Sequence, residues 1–174
     1  WLKVYQIPAA SRVAKGRPLI NLINLDEGER ITSLLNVESF EEPGFVFMAT
    51  KKGVVKKTSL DEFKRQWKVG KKAIKLDPDD ELVGSTLTDG EKFIMLVSQS
   101  GKAVFFDEKE ARSMGRAARG VKGINLGKDD QVISLLVPEK ENTIFTVSEN
   151  GYGKRTNVDD CLLYTSDAAD DIRR

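Results

Sequence analysis

The stretch Phe45-Val-Phe-Met-Ala-Thr-Lys-Lys-Gly-Val-Val-Lys-Lys-Thr58 is an apolar run, a polar turn with one glycine, and a second short strand. It returns as Phe93-Ile-Met-Leu-Val-Ser-Gln-Ser-Gly-Lys-Ala-Val-Phe-Phe106 and as Thr143-Ile-Phe-Thr-Val-Ser-Glu-Asn-Gly-Tyr-Gly-Lys-Arg-Thr156. Runs rich in β-branched and aromatic residues on either side of such a turn read as β-hairpins, the glycine supplying the positive φ that the turn needs. Gly53, Gly101 and Gly151 lie 48 and 50 residues apart. A period near 50 in β units predicts an all-β, propeller-like wheel of four-stranded blades.

Aligning on these glycines extends the repeat. Gly16-Arg-Pro-Leu-Ile-Asn-Leu22, Gly70-Lys-Lys-Ala-Ile-Lys-Leu76 and Gly120-Val-Lys-Gly-Ile-Asn-Leu126 match without a gap. Each precedes an acidic turn (Asp26 to Glu29, Asp77 to Asp80, Lys128 to Asp130) and an apolar strand beginning near Ile31, Leu82 or Val132. The predicted unit therefore has four strands: one before the hairpin, two within it, and one opening at the glycine-basic motif. Strands adjacent in sequence need not share a blade, because wheels close by lending a strand to a neighbour. After each hairpin, Ser59, Asp107 or Asn157 stands three residues before Glu62, Glu110 or Asp160. That capping-box spacing predicts about one helical turn at each place, and Trp1 to Ile7 align with the same region.

The chain has 174 residues, 40% of them apolar, enough for a core, and no run approaches the ~18–20 apolar residues of a membrane-spanning helix. Without paired cysteines or a signal-peptide opening, the expectation is a soluble chain of the reducing cytoplasm. Cys161 to Arg174 fits no repeat position and resembles the translation of a sequencing adapter, so it is expected to be a disordered, non-native tail.

The net charge of +1 hides a strong sorting. Three windows, Ser11 to Leu25, Lys64 to Leu76 and Arg112 to Lys128, contain no Asp or Glu. They cover about a quarter of the chain yet hold half of its 28 lysines and arginines. The candidate site residues are Arg12, Lys15 and Arg17; Lys64, Arg65, Lys68, Lys71 and Lys72; and Arg112, Arg116, Arg119 and Lys122. Lys75 and Lys128 lie in the same windows. Charged loops are commonly just solvated, but recurrence at one phase of the repeat, with acids excluded, favours a curved basic rim for a polyanion. Phosphate neutralisation needs many cations on one surface and no competing carboxylates. Gly16, Gly70, Gly115 and Gly120 have two readings, close backbone approach to phosphate and ordinary turns.

Histidine is absent, so no His-dependent triad, zinc site or imidazole base exists in this chain. Gly151-Tyr-Gly-Lys-Arg-Thr156 faintly resembles the end of a phosphate-binding P-loop, but Arg155 stands where Ser or Thr must hold magnesium; it reads as a hairpin. Asp77, Asp79 and Glu81 have calcium-loop spacing without its turn glycine, since Leu82 occupies that place, and read as turn residues. Trp67 and Tyr152 offer base stacking or packing, of which packing is the favoured expectation.

Val4-Tyr-Gln-Ile-Pro8, Val46-Phe-Met-Ala-Thr50, Gly53-Val-Val-Lys-Lys-Thr58, Ala73-Ile-Lys-Leu76, Gly120-Val-Lys-Gly-Ile124 and Asn150-Gly-Tyr-Gly-Lys-Arg-Thr156 together resemble the C-terminal domain of bacterial DNA gyrase A. The resemblance runs from Trp1 to about Asp160. It implies a β-pinwheel, here incomplete, since by the repeat alignment residues 1–160 hold the end of one unit, two full units and part of a fourth. It also implies a basic perimeter that wraps duplex DNA, so that an ATP- and magnesium-dependent parent enzyme introduces negative supercoils. Partners implied are DNA, the gyrase A core and gyrase B, with no membrane and no small-molecule substrate. The family's Gln-Arg-Arg-Gly-Gly-x-Gly box and its cleaving tyrosine do not occur here, so neither a catalytic residue nor a cofactor site is expected in this piece. A topoisomerase IV C-terminal domain and a propeller serving as a protein-interaction platform are the alternatives.

Overall fold

The structure, a computed structural model, describes residues 1–67, 69–139 and 141–162. The three predicted hairpins are present: β1 (Phe45–Thr50) with β2 (Val54–Ser59), and, further along, Phe93–Ser98 with Ala103–Asp107 and Thr143–Val147 with Gly153–Asn157, all antiparallel. Their turns share one chemistry. Gly53, Gly101 and Gly151 sit at φ +81°, +86° and +82°, a region that L side chains rarely adopt. Their amides donate to the carbonyls of Thr50, Ser98 and Ser148 at 3.0, 3.0 and 2.9 Å. The hydroxyls of the same three residues accept from the amides of Val54, Lys102 and Tyr152.

Additional strands come from further along the chain. β3 (Leu82–Thr88) runs antiparallel to β1, from Phe45↔Thr88 to Thr50↔Leu82. The second hairpin is β4 (Phe93–Ser98) and β5 (Ala103–Asp107). β6 (Val121–Lys122) crosses back over it to pair with β2 through Val55↔Val121 and Val54↔Lys122. β7 (Val132–Leu136) adds to β4, and β8 (Thr143–Val147) with β9 (Gly153–Asn157) closes the series. The sheets are thus β3-β1-β2-β6, β5-β4-β7 and β8-β9, with four, three and two strands.

The expected lending of strands is present, and the order gives its direction. The strand expected before each hairpin belongs to the sheet of the hairpin before it. The strand expected near Ile31 is absent: residues 29–39 carry no ladder, although the Ser33 hydroxyl accepts from the Ser85 amide and Leu35 and Val37 pack on the first sheet. A strand at the glycine-basic motif forms only at Val121–Lys122, where β2 offers a free edge; Leu19–Asn21 is a 3-10 turn, and residues 71–76 are irregular.

The first two sheets pack face to face. Alternation on β1 sends Phe47 and Ala49 to one side and Val46 and Met48 to the other, so the strand is buried on both faces. Phe47, Ala49 and Val55 meet Ile94, Leu96, Val104 and Phe106 of the second sheet, with Ile124 and Val132 closing the cluster. Burying each large side chain fully is worth about 1.5–3 kcal/mol. A polar seam runs beside it. The fully buried Glu108 carboxylate accepts from the Thr88 hydroxyl at 2.6 Å and from the Lys92 and Gly90 amides at 2.8 and 3.0 Å. Its carbonyl accepts from Lys57 Nζ at 2.6 Å.

The predicted helical turns follow the hairpins as Leu60–Phe63 and Glu108–Glu110, both 3-10, and α1 (Val158–Leu162). The predicted capping holds only in part. Asp107 accepts from the Lys109 amide at 2.8 Å, whereas the Ser59 hydroxyl makes no cap bond, because Leu60 and Phe63 instead drive this turn into the core. Neither Glu62 nor Glu110 reaches back to close a box; Glu62 faces Arg116. Of the tail expected from Cys161 onward, the first two residues complete α1 and residues 163–174 lie outside the described residues. Among the described residues no helix is long and apolar enough to cross a membrane.

Candidate nucleic-acid interface

The second and third basic windows meet along the edge of the first sheet that β2 and β6 form. Gly120 makes this approach possible: at φ +109°, a Cβ there would stand 2.5 Å from the Val55 carbonyl oxygen. Below it, the Met114 amide donates to the Lys57 carbonyl at 2.8 Å, and the Lys75 amide donates to the Ala118 carbonyl at 3.2 Å. Lys56, at 0% exposure, lies between the two loops. Its three N–H groups have three acceptors: Ala73 O at 2.5 Å, Thr58 Oγ1 at 2.8 Å and Arg116 O at 3.0 Å. Burial pushes its ammonium down to about 8, with Glu62 opposing that shift and Arg116 adding to it.

The joined loops carry exposed Lys64, Arg65 and Lys72 from one window and Arg112, Arg119 and Lys122 from the other. Lys71 and Arg116 are partly buried between them, and Lys68 lies outside the described residues. Desolvation, and after it the nearby guanidiniums of Arg116 and Arg65, hold the Lys71 ammonium below its usual range, while Glu62 acts in the opposite direction. The windows are free of acids in sequence but not in space. Glu62 comes within 3.6 Å of Arg116 and Asp77 within 3.2 Å of Arg119, because each acid flanks the loop beside it.

The first window stands apart. Arg12, Lys15 and Arg17 are exposed, and the main-chain bonds of this window, Ala14 to Ser11, Asn21 to Pro18 and Leu22 to Leu19, are local. The expected packing of Trp67 and Tyr152 is corrected: Trp67 is half exposed with the Arg65 guanidinium 5.3 Å from its ring, and Tyr152 is almost fully exposed.

Sequence reasoning missed the polar groups that hold the loops. Lys56 and Lys57 read as part of a hairpin strand, yet both are buried with their ammonium groups on main-chain carbonyls. The acidic turns do more than turn. Asp80 accepts from the Lys52 amide at 2.9 Å, and Asp130 accepts from the Ser100 amide at 3.0 Å, so each caps the tip of the hairpin before it. The signal for both is an Asp at one phase of the repeat, just ahead of an apolar strand. Among the described residues no group of His, Cys, Asp and Glu is arranged to hold a metal ion.

Antiparallel sheets built from hairpins and from strands lent by later parts of the chain, with basic loops on one edge, define a propeller-like class. Comparison with known proteins places this chain within it: a family model described as DNA gyrase C-terminal domain, beta-propeller, matches residues 1–38, 44–89, 92–139 and 142–160, and the chain belongs to that family. The breaks fall in the connections just before each hairpin. The gyrase A protein of Escherichia coli K12 is 54% identical over 157 residues, covering 90% of this chain, and that of Salmonella typhimurium LT2 is 52% identical over 160 residues, covering 92%. The chain spans 18% of the length of either relative. Among solved structures, the C-terminal domain of DNA topoisomerase IV aligns with a TM-score of 0.77 at 34% identity, covering 83% of this chain and 45% of that one. The DNA gyrase A C-terminal domain aligns with a TM-score of 0.71 at 27% identity, covering 84% and 48%.

Proposed function

We propose that the three basic windows bind duplex DNA through its phosphates, without reading sequence, and bend it, with the second and third windows forming one edge of its path. The parent enzyme is then a DNA gyrase, a type IIA topoisomerase whose gyrase A core and gyrase B partner supply the ATP- and magnesium-dependent strand passage that introduces negative supercoils. This piece contributes DNA geometry and no catalytic group or cofactor site. The observation that carries the reading is geometric: the second and third windows, joined by the Lys75 amide on the Ala118 carbonyl and by the Lys56 ammonium on the Ala73 and Arg116 carbonyls, set exposed Lys64, Arg65, Lys72, Arg112, Arg119 and Lys122 side by side. Like charges held together in this way gain from a polyanion, and smooth bending of a site costs on the order of 1–6 kcal/mol that several phosphate contacts offset. The stronger structural match to a topoisomerase IV domain favours that enzyme as a second reading, and the 52–54% identity to gyrase A proteins favours the first.

The test is binding of the chain to a random-sequence duplex of about 40 bp across a salt series, where each phosphate contact adds about 0.9 to the slope of log affinity against log salt. Lys122→Ala lowers that slope by about one unit for every DNA sequence tried. Arg119→Ala lowers it less, since Asp77 already neutralises part of that charge. A slope near zero in the folded parent chain overturns the reading in favour of a protein-interaction platform.

A further inference from the structure

Lys56 holds the two basic loops in register, and its position is the opposite of what a DNA contact would need. It is fully buried, on the face of the first sheet opposite the inter-sheet core, beside the equally buried Thr58. Two of its three bonds leave the strand altogether, one to the carbonyl of Ala73 in the second window and one to the carbonyl of Arg116 in the third. Those acceptors are 43 residues apart in the chain. The main-chain bond from Lys75 to Ala118 is formed where the ammonium brings the loops together. The groups facing Lys56 from those elements are Glu62 and Arg116. The same place in the second hairpin is taken by buried Val104, which packs on the first sheet and bridges nothing. In the third hairpin it is Lys154, which is exposed.

We propose that Lys56 is a positioning residue for the DNA-binding edge: a buried cation that sets the spacing between the second and third basic windows without itself touching DNA. The proposal rests on the DNA reading above, but half of it, the cross-link between loops, does not. A buried ammonium with every N–H satisfied contributes little net stability against an apolar side chain of equal length, because desolvation offsets the bonds. What it adds is geometry. Removing it leaves two main-chain carbonyls without a donor and lets the loops part, so that cations of the two windows no longer address one DNA path.

Lys56→Met is the decisive variant, with Lys56→Gln, which retains two N–H donors, as its graded partner. Urea unfolding, amide exchange and DNA binding are measured on the parent chain and on both variants, with Lys122→Ala as the reference for loss of one contact. The expected result is a Lys56→Met chain with an unfolding midpoint at or slightly below the parent, faster exchange of the Lys75 amide, affinity about tenfold lower and a slope reduced by more than the single unit of Lys122→Ala. Lys56→Gln falls between the two; should Lys56→Met fail to fold, Lys56→Gln decides by the same measures. Unchanged Lys75 exchange overturns the cross-link. Faster exchange with parental affinity and slope, while Lys122→Ala weakens binding, overturns the positioning role. If the parent itself shows no salt-dependent binding, the DNA reading has failed and with it the positioning role, while Lys75 exchange still reads the cross-link.

Discussion

The first and third hairpins are built from the same pattern of residues and have opposite surroundings. β1 and β2 sit in the middle of a four-stranded sheet, with β3 on one side and β6 on the other. β8 and β9 form a sheet of two. Phe47 and Phe145 occupy the same place six residues before the turn glycine, yet one is 0% and the other 68% exposed. The difference teaches where a blade's stability comes from. A hairpin supplies its own turn and ladder, but its neighbours on both edges arrive from later in the chain, β3 from 23 residues past the end of β2 and β6 from 62 past it. Local sequence thus specifies the hairpin, and distant sequence specifies whether it is buried.

The sharpest way to break that comparison is to truncate the equivalent aromatic in both. Phe47→Ala removes a ring from the cluster shared with Phe106, whose centroid lies 6.3 Å away, and is expected to cost about 3–5 kcal/mol. Phe145→Ala is expected to change stability by less than about 0.5 kcal/mol, as for an ordinary surface site. Urea midpoints of the two variants measure the contrast, and equal losses would mean that the third hairpin is covered in solution.

A smaller effect separates the two glycines that open the second and third basic motifs. Gly70 and Gly120 are both left-handed, at φ +76° and +109°, so alanine at either position costs on the order of 1–2 kcal/mol of backbone strain. At Gly70 nothing among the described residues lies within 4 Å of the added carbon, and the cost stops there. At Gly120 the carbon also meets the Val55 carbonyl and Val54 Cγ1 at 2.5 and 2.7 Å, which forces β6 away from β2. Gly120→Ala is therefore the more destabilising in urea and speeds exchange of the Gly123 amide, which donates to the Gly53 carbonyl; Gly70→Ala leaves that amide unchanged.

These contrasts also mark what the sequence could reveal. Hairpin, turn glycine and short helical turn were legible because each depends on neighbours within about ten residues, as the shared Thr50, Ser98 and Ser148 hydroxyl bonds illustrate. The basic windows were legible as composition. Strand partners were not, since the apolar alternation of Leu82–Thr88 is the same whether it joins the hairpin before it or after it; the spacing of repeats says nothing of the direction of lending. Burial of Lys56 and Lys57 was hidden for a related reason: their acceptors are main-chain carbonyls, which every residue has. The partial neutralisation of Arg116 and Arg119 by Glu62 and Asp77 needed the fold, because those acids lie more than 40 residues away in sequence.

The smallest effect concerns the hairpin tips, where the first two are capped by an aspartate from the following unit and the third, among the described residues, is not. Asp130 accepts from the Ser100 hydroxyl at 2.7 Å and from the amides of Ser100 and Gln131 at 3.0 and 2.9 Å. Those bonds, led by the Ser100 hydroxyl, hold its carboxyl below the usual 3.8. A carboxyl depressed in the folded state contributes stability that is complete above its unfolded value and is lost as pH falls through the lower folded value. Asp130→Asn is therefore expected to lower the urea midpoint slightly at neutral pH, and the gap from the parent is expected to close at pH values well below 3.8. Exchange of the Ser100 amide should rise in step, while that of Asn150 at the uncapped third tip stays fixed. A gap that persists in acid would show that Asp130 acts through shape alone, and the capped and uncapped tips would then differ in packing rather than in charge.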